Sequence, residues 1–115
     1  MNRRQVGTFY EKEAASYLER QGYEMIESNF RCRNGEIDII AREGEYLCFV
    51  EVKYRSGNGC GSPLEAVTRH KQQTIIQTAE YYLMKNKLPL DMPCRFDIIA
   101  IEGEKITLLR NAFGA

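Results

Sequence analysis

Three charged residues stand where strand-forming stretches would otherwise stay apolar: Asp38 within Glu36-Ile37-Asp38-Ile39-Ile40-Ala41, and Glu51 and Lys53 after Leu47-Cys48-Phe49-Val50. Two carboxylates held side by side repel each other. A divalent cation relieves that repulsion and takes oxygen ligands, so Asp38 and Glu51 are the candidate ligands of Mg²⁺ or Mn²⁺, with water completing the shell. A lysine two residues beyond Glu51 can orient or help deprotonate a water and offset charge on a phosphate. The chemistry that such a trio supports is hydrolysis of a phosphate ester.

These side chains need elements to bring them together. Residues 36–41 and 46–54 read as strands rich in Ile, Val, Phe and Tyr, and a two-residue turn at Glu43-Gly44 makes them a hairpin. That register sets Asp38 opposite Phe49 and Glu36 opposite Glu51, which makes Asp38 and Glu51 diagonal neighbours about 7–8 Å apart at the backbone. Alternation places Leu47, Phe49, Glu51 and Lys53 on one face, with Glu36, Asp38 and Ile40 on the same face of the preceding strand. Upstream, Gly7, Ala14, Ala15 and Leu18 fall on one side of a helix over residues 6–21, stopped by Gly22, and Glu11 lies within that apolar stripe. Glu11 is either an acid turned toward the site or a carboxylate at the stripe's edge that reaches solvent.

The rest of the chain supplies a frame. Residues 25–30 read as a strand, 31–35 as a polar turn, and 55–63, with three glycines and a proline, as a loop that could close over a substrate. Residues 64–85 read as a helix with Ile75, Ile76, Ala79, Tyr82 and Leu83 inward, and 95–101 and 105–110 as a hairpin around Gly103-Glu104. The predicted order is αβββαββ, an α/β mixture in a single domain of 115 residues.

Plainer readings compete. Glu-Val-Lys also arises from alternating charge on a solvent face, and Asp38, Glu51 and Lys53 as a purely structural cluster would bind no metal. Phe96-Asp97-Ile98-Ile99-Ala100 echoes Ile37-Asp38-Ile39-Ile40-Ala41, but Arg110 and Ala112 stand where Glu51 and Lys53 would be, so Asp97 is expected to be structural. His70, the one histidine, reads as a helix-edge residue, which removes histidine-rich metal sites. Cys32, Cys48, Cys60 and Cys94 form no Cys-x-x-Cys pair and read as reduced thiols. Sixteen basic residues balance sixteen acidic ones, so any phosphate-binding surface must be a local patch, for which Arg31, Arg33, Arg55, Arg69 and Lys71 are the candidates. No apolar run approaches the roughly 20 residues of a membrane span, and the N-terminus lacks the apolar stretch of a signal peptide, so a cytoplasmic protein without membrane contact is expected.

On these residues the chain resembles the PD-(D/E)XK nuclease superfamily, with Ile37 in the signature's proline position. Over nearly its full length it is similar to the YraN family of small bacterial proteins. That similarity rests on Gly7 and Glu11, Asn29-Phe30-Arg31, residues 35–41, Phe49-Val50-Glu51-Val52-Lys53 with Arg55, Glu65-Ala66-Val67 with Lys71, Arg95-Phe96-Asp97, and Asn111-Ala112-Phe113. The resemblance implies a restriction endonuclease-like fold, a central mixed sheet flanked by helices. It implies a nuclease using Mg²⁺ or Mn²⁺ on DNA, including branched or otherwise structured DNA, with Asp38 and Glu51 as metal ligands, Lys53 as the catalytic lysine and Glu11 as an accessory acid. Lys71 matches a helical position that contributes a further polar site residue, with Gln72 a weaker candidate. Arg31, Arg33, Arg55 and Lys71 would contact phosphates. The similarity extends to archaeal Holliday-junction resolvases, and by analogy with them to a homodimer. The alternative is a nucleic-acid-binding or scaffold protein that keeps the fold without turnover.

Overall fold

Asn2 begins the first helix by a reciprocal cap: its side chain accepts from the Gln5 N–H at 2.8 Å while the Gln5 side chain accepts from the Asn2 N–H at 3.0 Å. In this computed structural model, which describes residues 2–55 and 62–114, the order is α1 (Arg3–Arg20), β1 (Glu24–Cys32), β2 (Gly35–Glu43), β3 (Tyr46–Arg55), a 3₁₀ turn (Pro63–Ala66), α2 (Arg69–Lys85), β4 (Cys94–Glu102) and β5 (Lys105–Phe113). The expected αβββαββ order holds, as one five-stranded mixed sheet in the order β1-β2-β3-β4-β5.

Only β3 and β4 run parallel; every other pair is antiparallel. A parallel pair cannot be joined by a tight turn, and α2 is the crossover that joins these two. The helices lie on opposite faces. Ile75, Ala79, Tyr82 and Leu83 of α2 pack with Leu47, Phe49 and Ile98, whereas Ala14 and Leu18 of α1 pack with Cys48, Val50, Ile99 and Ile101. Covered on both sides, the middle of β3 carries the unbroken run Leu47-Cys48-Phe49-Val50 rather than alternating polarity.

Two sequence expectations change. The helix foreseen from residue 64 starts at Arg69, because Pro63 opens a separate 3₁₀ turn and Thr68 caps α2, its Oγ1 accepting from the Lys71 N–H at 3.1 Å. The first hairpin turns at Gly44-Glu45, since Glu43 pairs with Tyr46 and Gly44 takes the left-handed conformation (φ 61°). That moves the register by two residues. The loop foreseen at 55–63 falls largely on residues 56–61, outside the described residues. Among the described residues no helix is long and apolar enough to cross a membrane.

Gly35, where β2 begins, is required by close approach. A Cβ there would lie 2.6 Å from Thr74 Cγ2 and 3.1 Å from Thr78 Oγ1, so its absence lets α2 settle onto the strand that carries Asp38.

Candidate metal centre

The β2–β3 ladder runs from Glu43↔Tyr46 to Ile39↔Val50 and then opens. One step further, the same register sets Asp38 directly across from Glu51, closer than the diagonal relation expected from sequence. Here a side chain replaces a backbone carbonyl: the Val52 N–H donates to Asp38 Oδ2 at 2.8 Å. The adjoining strand is also irregular, since Asn29, facing Asp38 by the β1–β2 register, adopts the left-handed conformation (φ 54°) that asparagine tolerates.

Strict alternation fails at this level. Ile37 and Ile40 both join the cluster under α2, while Ile39 joins the cluster under α1. Asp38 therefore does not share one flat face with Glu36, as alternation predicted; it lies in the seam between β2 and β3, accessible to residues from both faces. From the α2 side comes Glu51, 5% exposed, with Lys53 Nζ 3.8 Å and Lys71 Nζ 3.9 Å from its Oε2. From the α1 side comes Glu11, which with Asp38 and Val52 lines a cavity of about 150 Å³.

The electrostatics follow from this crowding. Burial first, then the charge and hydrogen-bonding proximity of Asp38, push the Glu51 carboxyl up to about 8, against the pull of Lys71 and Lys53. Glu11 is also raised, by burial and then by Asp38, while a hydrogen bond from Asn29 favours its ionised form. Crowding thus favours a proton on the Asp38–Glu51 pair, with which a dication would compete. Among the described residues no group of three or more His, Cys, Asp or Glu side chains is gathered for a metal. An ion held here would have two carboxylates and several waters, a shell that suits Mg²⁺. The donors present fit the ion that the resemblance implies.

The proposed phosphate contacts are dispersed. Arg31 is exposed and pairs with Glu36 at 3.0 Å; Arg33 lies on the surface near Lys85. Arg55 is ion-paired to Glu102 at 2.8 Å, which draws it away from the carboxylates. Lys71 belongs to the centre itself. His70 is exposed on the first turn of α2, as expected.

At the opposite end of the sheet, the second hairpin repeats the device. Asp97 Oδ1 accepts the Asn111 N–H at 2.8 Å, and in both hairpins the aspartate takes the amide 14 residues ahead. Its surroundings are the reverse of Asp38's. Asp97, fully buried, accepts from Tyr23 Oη at 2.7 Å and from Arg95 Nε and Nη2 at 3.0 and 2.9 Å. Arg95 and Arg110 both clamp Glu43, holding its carboxyl down at about 2. Each carboxylate of this network has a guanidinium partner. Sequence reasoning missed Tyr23 and Glu43 because their partners lie 74 and up to 67 residues away. It also assigned no role to Asn29, whose position in a strand-forming stretch was the available signal.

The model of an uncharacterised protein family, UPF0102, matches residues 10–101. The chain belongs to UPF0102. A UPF0102 protein of Lachnoclostridium phytofermentans is 53% identical over 115 residues, covering 100% of this chain and 98% of the relative. UPF0102 relatives of Legionella pneumophila (45% identical; 95% and 94% covered) and Dehalococcoides mccartyi (40%; 98% and 96%) also span nearly the whole of both chains. Membership in UPF0102 thus extends over the described elements, α1 and β5 included.

Proposed function

We propose that this protein is a Mg²⁺- or Mn²⁺-dependent nuclease of the PD-(D/E)XK kind, related to the Holliday-junction resolvases, that hydrolyses phosphodiester bonds in branched or otherwise structured DNA in the cytoplasm. One observation carries the reading: two carboxylates from adjoining strands converge at the point where the strands part, with two ammonium groups within 4 Å of one of them. Around Asp97 each carboxylate has a guanidinium within 3 Å, whereas among the described residues Asp38 makes no ion pair.

Asp38 and Glu51 would hold the ion, which supplies Lewis acidity toward a phosphate oxygen. Lys53 orients the attacking water, and Lys71 offsets negative charge developing on the phosphate. Glu11, reaching Asp38 from the other face, positions that water or a second ion. Arg31 and Arg33 meet flanking phosphates. A homodimer, by analogy with the resolvases, would present two centres to a branched substrate.

A rival reading, a nucleic-acid-binding scaffold without turnover, is favoured by the small number of metal-ligating side chains gathered here. Incubation of purified protein with single-stranded, duplex and four-way DNA in Mg²⁺ or Mn²⁺ separates the two. Cleavage that disappears in Lys53→Ala and Asp38→Ala supports the nuclease. No cleavage by the parent, or equal cleavage by Lys53→Ala, refutes it.

A further inference from the structure

Beside the carboxylates lies a group of aromatic side chains that the hydrolytic reading does not use. Tyr54 follows Lys53 directly, but alternation sends it to the α1 face, where its ring stacks on Tyr10 at 4.4 Å between centroids and 8° between planes. Although one face of that ring is occupied, Tyr54 remains 47% exposed. Phe9, 45% exposed, meets Tyr10 edge-on at 5.2 Å. Tyr10 and Tyr54 line the same 150 Å³ cavity as Glu11 and Asp38. A cavity of that size admits one six-membered aromatic ring.

The cavity continues into a basic groove. A neighbouring cavity of about 450 Å³ shares Gly7 and Glu11 with it and is walled by Arg3, Arg4 and Arg31, with Glu36 beside Arg31. A third, of about 370 Å³, shares Arg4 and Thr8 and ends at Phe9 and Lys12. Among the described residues Arg31 is paired to Glu36, whereas Arg3 and Arg4 make no ion pair within 4 Å. Cationic groups thus lie between two sets of rings, Phe9 at one end and Tyr10 with Tyr54 beside the carboxylates at the other.

We propose that this groove binds a nucleic-acid strand with an unpaired base beside the reacting phosphate, that base stacking on the Tyr10–Tyr54 platform, a further base meeting exposed Phe9, and the backbone following Arg3, Arg4 and Arg31. Duplex does not fit, because its base faces are covered by their neighbours and offer nothing to an exposed ring. Charge points the same way. With sixteen cationic and sixteen anionic residues the chain has no net positive charge to draw a duplex by its phosphates, whereas stacking adds affinity without net charge. The inference rests on the nuclease reading for the identity of the neighbouring site, and it narrows the substrate class to strands unpaired at the point of attack: single strands, flaps and the open centres of branches.

Binding measured in EDTA tests it without turnover. Fluorescence anisotropy compares a labelled oligothymidylate with a blunt hairpin duplex of equal length. The single strand is expected to bind more tightly. Tyr54→Ala and Phe9→Ala each weaken that binding on the order of tenfold and leave duplex binding unchanged. Tyr54→Phe restores affinity but loses part of the tyrosine quenching that the oligomer produces, a signal readable because the chain has no tryptophan. Replacing Arg3 and Arg4 together by alanine weakens both probes and lowers the salt slope by about two. Equal affinity for the two probes, binding of neither, or unchanged single-strand affinity in both Tyr54→Ala and Phe9→Ala overturns the proposal. Should Tyr54→Ala fail to fold, exposed Phe9 carries the comparison. A protein that stacks the oligomer but never cleaves would refute the nuclease reading alone, and one whose cleavage of single strands is unchanged by Tyr54→Ala would refute this inference alone.

Discussion

Asp38 and Asp97 hold equivalent places in the two hairpins, each accepting a backbone amide 14 residues ahead, so one substitution made at both positions separates a charge kept for chemistry from one kept for structure. Asparagine retains one acceptor oxygen but no charge. At Asp97 the carboxylate faces three donor groups besides that amide, and an asparagine introduced there would turn its own N–H groups toward Tyr23 or Arg95. Removing one partner of a buried pair costs about 3–5 kcal/mol, and because Glu43 still compensates Arg95 the lower end applies. At about 4 °C per kcal/mol for a chain of this length, Asp97→Asn should lower the melting temperature by roughly 12 °C. At Asp38 the surviving oxygen can still accept from Val52, and the charge removed is one that repels Glu51. Asp38→Asn should therefore stay within about 1 kcal/mol of the parent, on the stabilised side when no metal is present. Thermal unfolding followed by circular dichroism in EDTA at neutral pH measures both. If Asp38→Asn melts as far below the parent as Asp97→Asn does, the Asp38–Glu51 pair is structural and the argument for a metal centre fails.

Metal binding must expel the proton that Glu51 holds up to about pH 8. Calorimetric Mn²⁺ affinity should therefore rise about tenfold per pH unit from near pH 6 and level off above 8, whereas an affinity independent of pH would place the ion elsewhere. Glu43, held at about 2 by Arg110 and by Arg95, has a lower pKa folded than unfolded, so its stabilisation is complete above about 4.5 and is lost as the pH falls through 2. Glu43→Gln should cost about 1–2 kcal/mol at pH 7, allowing for partial exposure, and the two proteins should converge in stability toward pH 2; a constant gap down to that pH would be evidence against the linkage. Gly35→Ala places a methyl 2.6 Å from Thr74 Cγ2 and should destabilise by about 1–3 kcal/mol in denaturant titration. Adding Thr74→Ser, which removes that methyl, should recover most of the loss.

The order of amino acids was enough to specify the elements and the residues of interest. The unbroken apolar runs Leu47–Val50 and Ile98–Ile101 and the helical pattern in Ile75–Leu83 reflect burial that local spacing already encodes, so the αβββαββ order was legible, and so were the charges of Asp38, Glu51 and Lys53 standing against an apolar background. Their exact relation was not. A turn placed one residue early moved the register by two, because Glu43-Gly44 and Gly44-Glu45 are both acceptable turns locally and only the pairing of whole strands chooses between them. Nor could alternation foresee that β2 would slip at Asp38, since the slip depends on a left-handed Asn29 in a different strand and on an amide of β3. The arrival of Glu11 through one face and of Lys71 through the other, the stacking of Tyr54 on Tyr10, and the enclosure of Asp97 by Tyr23 and Arg95 were decided in the same way. Each depends on through-space energies between groups far apart in the chain, which exist only once both helices have closed over the sheet.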